Sequence, residues 1–430
     1  MTHPTEEDLV IRRAPVALLA AGIAMMIAPP ALAAPGADVR FATFNASLNR
    51  MNAGDLLFDL SHPELDTVRV RHVHNVAEVI QRAHPDVLLV NEFDFYPDGE
   101  AAELFRDNFL AVSQNGAPAA DYPYYFVAPS NTGIPSGFDL DNSGSIGGGN
   151  DAFGFGAFPG QFGMVVYSKL PIDEDGVRTF QHFLWKDMPG ARLPDDPATP
   201  STPHDWYSAA ELAVFRLSSK SHWDVPIAVG GRTVHFLVSH PTPPVFDGPE
   251  DRNGTRNADE IRLTADYVTP GSGGYIYDDE GRRGGLKASA LFVIAGDQNS
   301  DPLDGDSIPG AIQQLLENDR INATDPPSSA GAVEATALQG GANLNHRSDP
   351  RFDTADFSDV APGNLRADYV LPRSNIQIVD SAVFWPVQAD PLFRLTGVFD
   401  PAWAGPDGVG GFPTSDHRLV WADLAVPGVR

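Results

Sequence analysis

The chain has 430 residues, a formal net charge of −28 and no cysteine. Disulfides and thiolate metal sites are therefore excluded, and any fold must be held by its core, by a metal bound through oxygen and nitrogen, or by both. Such acidity argues against a broad basic footprint for nucleic acid, yet leaves phosphate chemistry open where a divalent cation supplies positive charge locally.

Residues 1–34 read as a secretory signal peptide. Arg12 and Arg13 precede the apolar run Pro15 to Ile27, and Ala31-Leu-Ala33-Ala34 forms a small-residue exit. The apolar run is too short for a stable membrane anchor. The chain after residue 34 is expected in the periplasm or beyond, without membrane insertion, and its length alone suggests two or three domains. With 40 glycines and 38 prolines, many loops are expected.

The first strand is predicted at Val39–Asn45. A helix over 67–84 follows, with Val73, Val76, Val79, Ile80 and Ala83 on one face and Asn75, Glu78 and Arg82 opposite. Val87–Val90 is a buried strand that delivers Asn91 and Glu92. Residues 101–113 look helical, and 129–162 form a Gly-rich excursion. Within it, Asp139-Leu-Asp141-Asn-Ser143-Gly144 partly resembles the start of a calcium loop. The twelfth position is Asn150, so a solvated turn is the better reading. Gly163–Ser168 returns to strand. Three strand-like runs follow at 209–217, 225–229 and 233–240, the last ending on His240, and then a helix at 256–269. A strand at 291–295, a helix near 308–318, a long polar loop, and strands near 366–371, 376–384 and 418–425 complete the chain. Strand, helix, strand and then mostly strands fit an α/β protein with mixed sheets.

Polar groups with chemical capacity recur where apolar runs end: Asn45, Glu92, His240, Asp297 with Asn299, Asp368, and Asp416 with His417. Asp297 and Asn299 sit two positions apart, so an extended chain presents carboxylate and carboxamide on one side. That pair suits hydrolysis, the carboxylate handling a water proton and the amide holding a developing oxyanion. If the strand ends converge, the carboxylates repel one another unless a hard cation sits between them. Oxygen ligands favour Mg²⁺, Mn²⁺ or Ca²⁺. His72, His74, His182, His204, His222 and His346 lack such a context and read as surface or loop residues. Arg347 and Arg366 are weaker candidates for clamping phosphate.

In order and local context these segments resemble the endonuclease/exonuclease/phosphatase superfamily, the deoxyribonuclease-I-like fold. The resemblance rests on Phe44-Asn45, Val90-Asn-Glu92, Phe236-Leu-Val-Ser-His240, Gly296-Asp297-Gln-Asn299, Arg366-Ala-Asp368-Tyr369 and Ser415-Asp416-His417. Asn91 replaces the more usual glutamine. The resemblance implies one catalytic domain over residues 35–430, expected to be monomeric: a four-layer α/β sandwich, two mixed β-sheets packed face to face with flanking helices. It implies an Mg²⁺-dependent phosphoesterase in which Asn45, Glu92 and Asp416 surround the metal. Asp297 would activate water, and Asn299 would bind a phosphate oxygen. His417, backed by Asp368, would meet the scissile phosphate. His240 would act on the leaving-group side or bind phosphate. A phosphodiester is the expected substrate, with nucleic acid one candidate. Two alternatives are a small-molecule or lipid phosphoesterase and a non-catalytic binding module on the same fold. The segments 129–162, 187–205, 245–285 and 325–364 are expected as surface insertions that shape access.

Overall fold

The computed structural model describes residues 38–404 and 409–429. The leader expected at 1–34 lies outside them. Two mixed sheets form the centre. One has six strands in the order β10-β11-β1-β2-β4-β3, the other five in the order β5-β6-β7-β8-β9. The strands of the first are β1 (Val39–Asn45), β2 (Val87–Asn91), β3 (Tyr124–Phe126), β4 (Met164–Ser168), β10 (Gln377–Val383) and β11 (Val420–Ala425). Those of the second are β5 (Arg178–Thr179), β6 (His222–Val229), β7 (Arg232–Ser239), β8 (Leu291–Asp297) and β9 (Asp368–Pro372). Among the described residues no helix is long and apolar enough to cross a membrane.

Strand alternation divides the apolar residues into layers. Phe41, Val87, Leu89, Phe236, Val238, Val293, Ala295, Val370 and Ala422 pack between the sheets. Ala42, Phe44, Leu88 and Val90 face the opposite way, onto helix α2 (Val68–Ala83). Leu237, Phe292, Ile294, Tyr369 and Leu371 face helix α5 (Arg252–Val268). Each fully buried large aliphatic or aromatic side chain here stabilises by about 1.5–3 kcal/mol. The result is helix, sheet, sheet, helix: the four layers expected. Helix α2 begins where the Thr67 hydroxyl accepts from Val70 N at 3.2 Å and ends where His84 turns left-handed before Pro85.

The structure corrects several local expectations. Residues 209–217 are not a strand. Ser208 and Glu211 form a reciprocal capping box, which starts the short helix Ala209–Leu212 within this apolar run. Near 308–318 only Gln313–Leu316 is helical. The long polar loop at 325–364 contains a helix, Ala330–Gln339, capped by the Ser329 hydroxyl. At 101–113, the helix Glu100–Phe105 passes into a wider turn at Arg106–Leu110. The 129–162 segment is not a mere surface insertion, since Ser130, Asn131, Thr132 and Phe153 are buried.

Candidate active site

The layer parity that builds the core also assembles the polar cluster. Asn45 continues the inter-sheet face of Phe41, and His240 that of Phe236 and Val238. Asp297 continues Val293 and Ala295, and Asp368 shares the face of Val370. β1 runs parallel to β2, and β7 parallel to β8, so their C-terminal ends share a rim. β9 runs antiparallel and places Asp368 directly opposite Asp297. Gly296 makes this close approach possible. Its φ is +146°, and a Cβ there would stand 2.0 Å from the Ser239 carbonyl oxygen. Asn91 ties the two sheets together, accepting from Thr43 Oγ1 at 3.3 Å and from Asp297 N at 3.4 Å.

Glu92 breaks the parity. As the residue after Asn91 it would point toward α2, but its φ of +58° turns it out of register into the cavity. A non-glycine residue held this way costs on the order of 1–3 kcal/mol, and such residues collect at functional sites. Asn299 also has a positive φ, +50°, which asparagine tolerates well. Its backbone N–H donates to Asp297 Oδ1 at 2.8 Å, and its amide donates to Pro241 O at 3.1 Å.

Three side chains converge on Asp297 Oδ2: Asn45 Nδ2 at 3.1 Å, His240 Nε2 at 3.4 Å and His417 Nε2 at 3.6 Å. Asn45 Nδ2 also lies 3.1 Å from Glu92 Oε1. On its other side, His417 Nδ1 is 2.8 Å from Asp368 Oδ2, an oxygen that also accepts from Thr354 Oγ1 at 2.8 Å. Ser415 Oγ accepts from His417 N at 3.0 Å, and the Phe357 ring meets the His417 ring edge-on at 5.2 Å. Asp368 therefore acts through His417, as a positioning residue behind the imidazole.

Electrostatics separate the two histidines. Burial works against the charge on His417, but Asp368 and then Asp297 outweigh it and hold the imidazolium well above its ordinary range. Burial, with Lys220 and His417 nearby, keeps His240 well below its ordinary value and hence neutral. The Asp297 carboxyl is pushed up by burial to about 7, against the pull of His417. Burial and then Asp416 raise Glu92. Environments that drive neighbouring groups apart in this way assign distinct proton roles.

The donor set suits a hard cation. Asp416 works against the charge on Glu92, Asn45 adds a carboxamide, and both carboxylates line the same cavity. Asp297, Asp368 and His417 also offer mutually close ligand atoms. Both ring nitrogens of His417 are already engaged by those carboxylates, so this triple reads as proton-handling. A second acidic group lies at Asp139, Asp141 and Asp151, the last one position beyond the expected end of a calcium loop. The loop's own N–H groups occupy it: Ser143 N and Gly144 N donate to Asp139, and Leu140 N and Gly147 N to Asp151.

The predicted residues Asn45, Glu92, His240, Asp297, Asn299, Asp368, Asp416 and His417 thus come together. Arg347 and Arg366 do not join them. Arg366 stacks 4.5 Å over Tyr369, and Arg347 lies exposed beside Asp304. Several contributors were missed. His72 is fully buried and binds the Thr414 carbonyl, while Asn75 donates to Pro413 O at 3.0 Å, so α2 grips the loop carrying Ser415-Asp416-His417. Glu260 on α5 is buried and accepts from Ser219 N and Thr242 N, both at 2.7 Å. It thereby fixes the segments that carry Lys220 and His240. His222 is buried too, with Nε2 3.0 Å from Glu260 O. Helical spacing from Val73 and Val76 could have flagged His72 as inward. Nothing local marks Lys220.

The family model described as Endonuclease/Exonuclease/phosphatase family matches residues 42–417. No curated protein matches the chain in a sequence comparison. Among solved structures, an endonuclease/exonuclease/phosphatase from Beutenbergia cavernae is 18% identical, with 91% of this chain and 72% of that chain covered and a TM-score of 0.47. Sphingomyelinase C from Streptomyces griseocarneus is 17% identical, with 90% and 99% covered and a TM-score of 0.41. A mannosyl-6-phosphatase from Bacteroides thetaiotaomicron is 11% identical, with 90% and 99% covered and a TM-score of 0.41.

Proposed function

The chain belongs to the endonuclease/exonuclease/phosphatase family, and from that premise we propose that it is an exported, Mg²⁺-dependent phosphodiesterase. Family members are phosphoesterases that depend on a divalent metal. The observation that carries the finer reading is the convergence of Asn45, His240 and His417 on one oxygen of Asp297. Asn45, Glu92 and Asp416 would hold the cation, with Mn²⁺ or Ca²⁺ as alternatives to Mg²⁺. Bound there, it would offset the negative charge of the phosphate.

The side chains do the rest. Asp297 orients the attacking water and takes its proton. The His417 imidazolium, held by Asp368, faces the charge that develops on phosphate. Neutral His240 and the Asn299 carboxamide offer hydrogen bonds to phosphate oxygens or to the leaving group. In-line phosphoryl transfer asks mainly for such positioning and charge stabilisation. Export rests on the paired arginines, apolar run and small-residue exit at residues 1–34.

The test is hydrolysis of bis(4-nitrophenyl) phosphate and 4-nitrophenyl phosphate by purified protein, with Mg²⁺ and with chelator. Diester cleavage should exceed monoester cleavage, require metal, and be lost in Asp297→Ala and His417→Ala. Full activity in chelator or in either variant would end the proposal.

A further inference from the structure

The cavity above Asp297 and His417 has a volume of about 1140 Å³, far more than a phosphate group needs. Much of its lining is apolar, including Leu140, Tyr207, Phe215 and Phe357, the last packed against His417 itself. Two further phenylalanines stand at the solvent side of this lining, Phe246 at 84% exposure and Phe155 at 64%. Large apolar rings facing water beside a charged site are an expense that folding alone does not explain.

Backbone strain is concentrated at the same place. Among the described residues eleven non-glycine residues have positive φ, and five of them line this cavity: Ser47, Glu92, Phe162, Phe246 and Asn299. Asparagine adopts this conformation readily, but phenylalanine does not. Phe246, with φ of +67°, carries both exposure and strain. Such an outlier is held for what it does at the site.

The cations of the cavity are mostly committed. Arg50 is paired with Asp59 at 2.7 Å, and Arg252 with Glu250. Arg256 donates to the carbonyls of Leu217, Phe153 and Arg216. Lys220 differs. It is buried, at 7% exposure, and lines the cavity within electrostatic reach of Glu260 first and then of Glu92 and Asp297. Among the described residues its ammonium has no ion-pair or hydrogen-bond partner. Burying a lysine without a partner is costly unless a ligand completes it. One uncommitted cation suffices for one phosphate. A polynucleotide backbone calls for a row of them, and the net charge of −28 opposes a polyanion further.

We infer, resting on the phosphodiesterase reading, that the substrate is a monomeric phosphodiester with one large apolar ester group. Lys220 takes its phosphate, and the chamber beside Phe246 takes the apolar group. In the reaction water forms a new P–O bond as one ester P–O bond breaks. One water proton stays on the product phosphate and the other passes to Asp297; the released oxygen leaves as a phenolate, or as an alcohol that takes up that second proton from Asp297.

The experiment measures kcat/KM for methyl, butyl and decyl 4-nitrophenyl phosphate with Mg²⁺, all below their micelle thresholds, alongside nicking of supercoiled plasmid DNA. Burial of the chain should raise kcat/KM about two- to fourfold per added CH₂ until the chamber is filled. Phe246→Ser should flatten that slope. Lys220→Met should lower kcat/KM on all three esters by about 100-fold and keep the slope. A flat series with methyl ester hydrolysed, or plasmid cut in preference to the decyl ester, overturns the inference and leaves the phosphodiesterase reading standing. Failure to hydrolyse any ester or plasmid overturns both. An unchanged slope in Phe246→Ser removes the chamber assignment, and wild-type rates in Lys220→Met remove the phosphate assignment.

Discussion

Asp368→Asn isolates the part of the site that touches no substrate. Asp368 Oδ2 sits 2.8 Å from His417 Nδ1 and receives a second bond from Thr354 Oγ1 at 2.8 Å. A hydrogen bond between charged partners contributes about 1.5–3 kcal/mol, or about 10- to 150-fold in rate if it is realised in the transition state. Asparagine keeps the shape and the Thr354 bond but removes the charge that, more than any other, holds His417 protonated. The imidazolium is then lost as well as its orientation, so kcat on bis(4-nitrophenyl) phosphate should fall by about 100-fold or more. KM should stay within about threefold, because the substrate meets His417 and not Asp368. Thr354→Val, which frees one side of Asp368, should give a smaller loss of about 5- to 10-fold. Thermal melts of each variant establish that the fold is intact. A kcat within threefold of wild type, or a loss confined to KM, would refute the placement of Asp368 behind the imidazole.

Three other perturbations test the structure independently. Gly296→Ala forces a Cβ to within 2.0 Å of Ser239 O in the centre of a sheet and should destabilise by about 3 kcal/mol or more in urea unfolding; a change under 1 kcal/mol would show that β7 and β8 do not approach so closely. Glu92→Gln relieves repulsion with Asp416, so in chelator its melting temperature should match or exceed wild type, while the Mg²⁺ concentration for half activity rises at least about tenfold. Identical Mg²⁺ titrations would remove Glu92 from the metal set. Burial, with Asp301 and Asp304 nearby, pushes the Asp353 carboxyl up to about 8, so the folded state holds a proton that the unfolded state releases near pH 4. That contribution is complete below pH 4 and disappears as pH rises through about 8, a loss on the order of a few kcal/mol. Melting temperature should therefore fall between pH 5 and 9 in the wild type and fall less in Asp353→Asn. Parallel profiles would sink the assignment.

How much was legible beforehand follows from which interactions are local. The apolar runs along 39–45, 87–91, 233–240 and 291–297 are written in the residues themselves, and strand geometry then sets Asn45, His240 and Asp297 on the same side as their neighbours two positions back. The strand pattern itself indicated an α/β protein with mixed sheets, and the short motifs at the strand ends, in their chain order, carried the resemblance that implied the four layers and the cluster. Local chemistry also explains a failure. The run 209–217 is apolar enough to resemble a strand, but Ser208 and Glu211 lie three apart and cap a helix.

Tertiary packing decided what no window of residues contains. The strand ends meet only because the two sheets face each other across the layer of Phe41, Phe236 and Val293. That encounter gives Asp297 its neighbours and sets one histidine charged and the other neutral, since burial and nearby charge are properties of position. Glu92 reaches the cavity through a single left-handed residue, a choice imposed by what surrounds it. The sequence thus determined which chemical groups stand at the ends of which strands, because side-chain direction follows from backbone periodicity. Only the folded chain decided which of them touch, which keep a proton, and that Lys220 is buried beside them without a partner, because desolvation and contact arise between segments far apart in the chain.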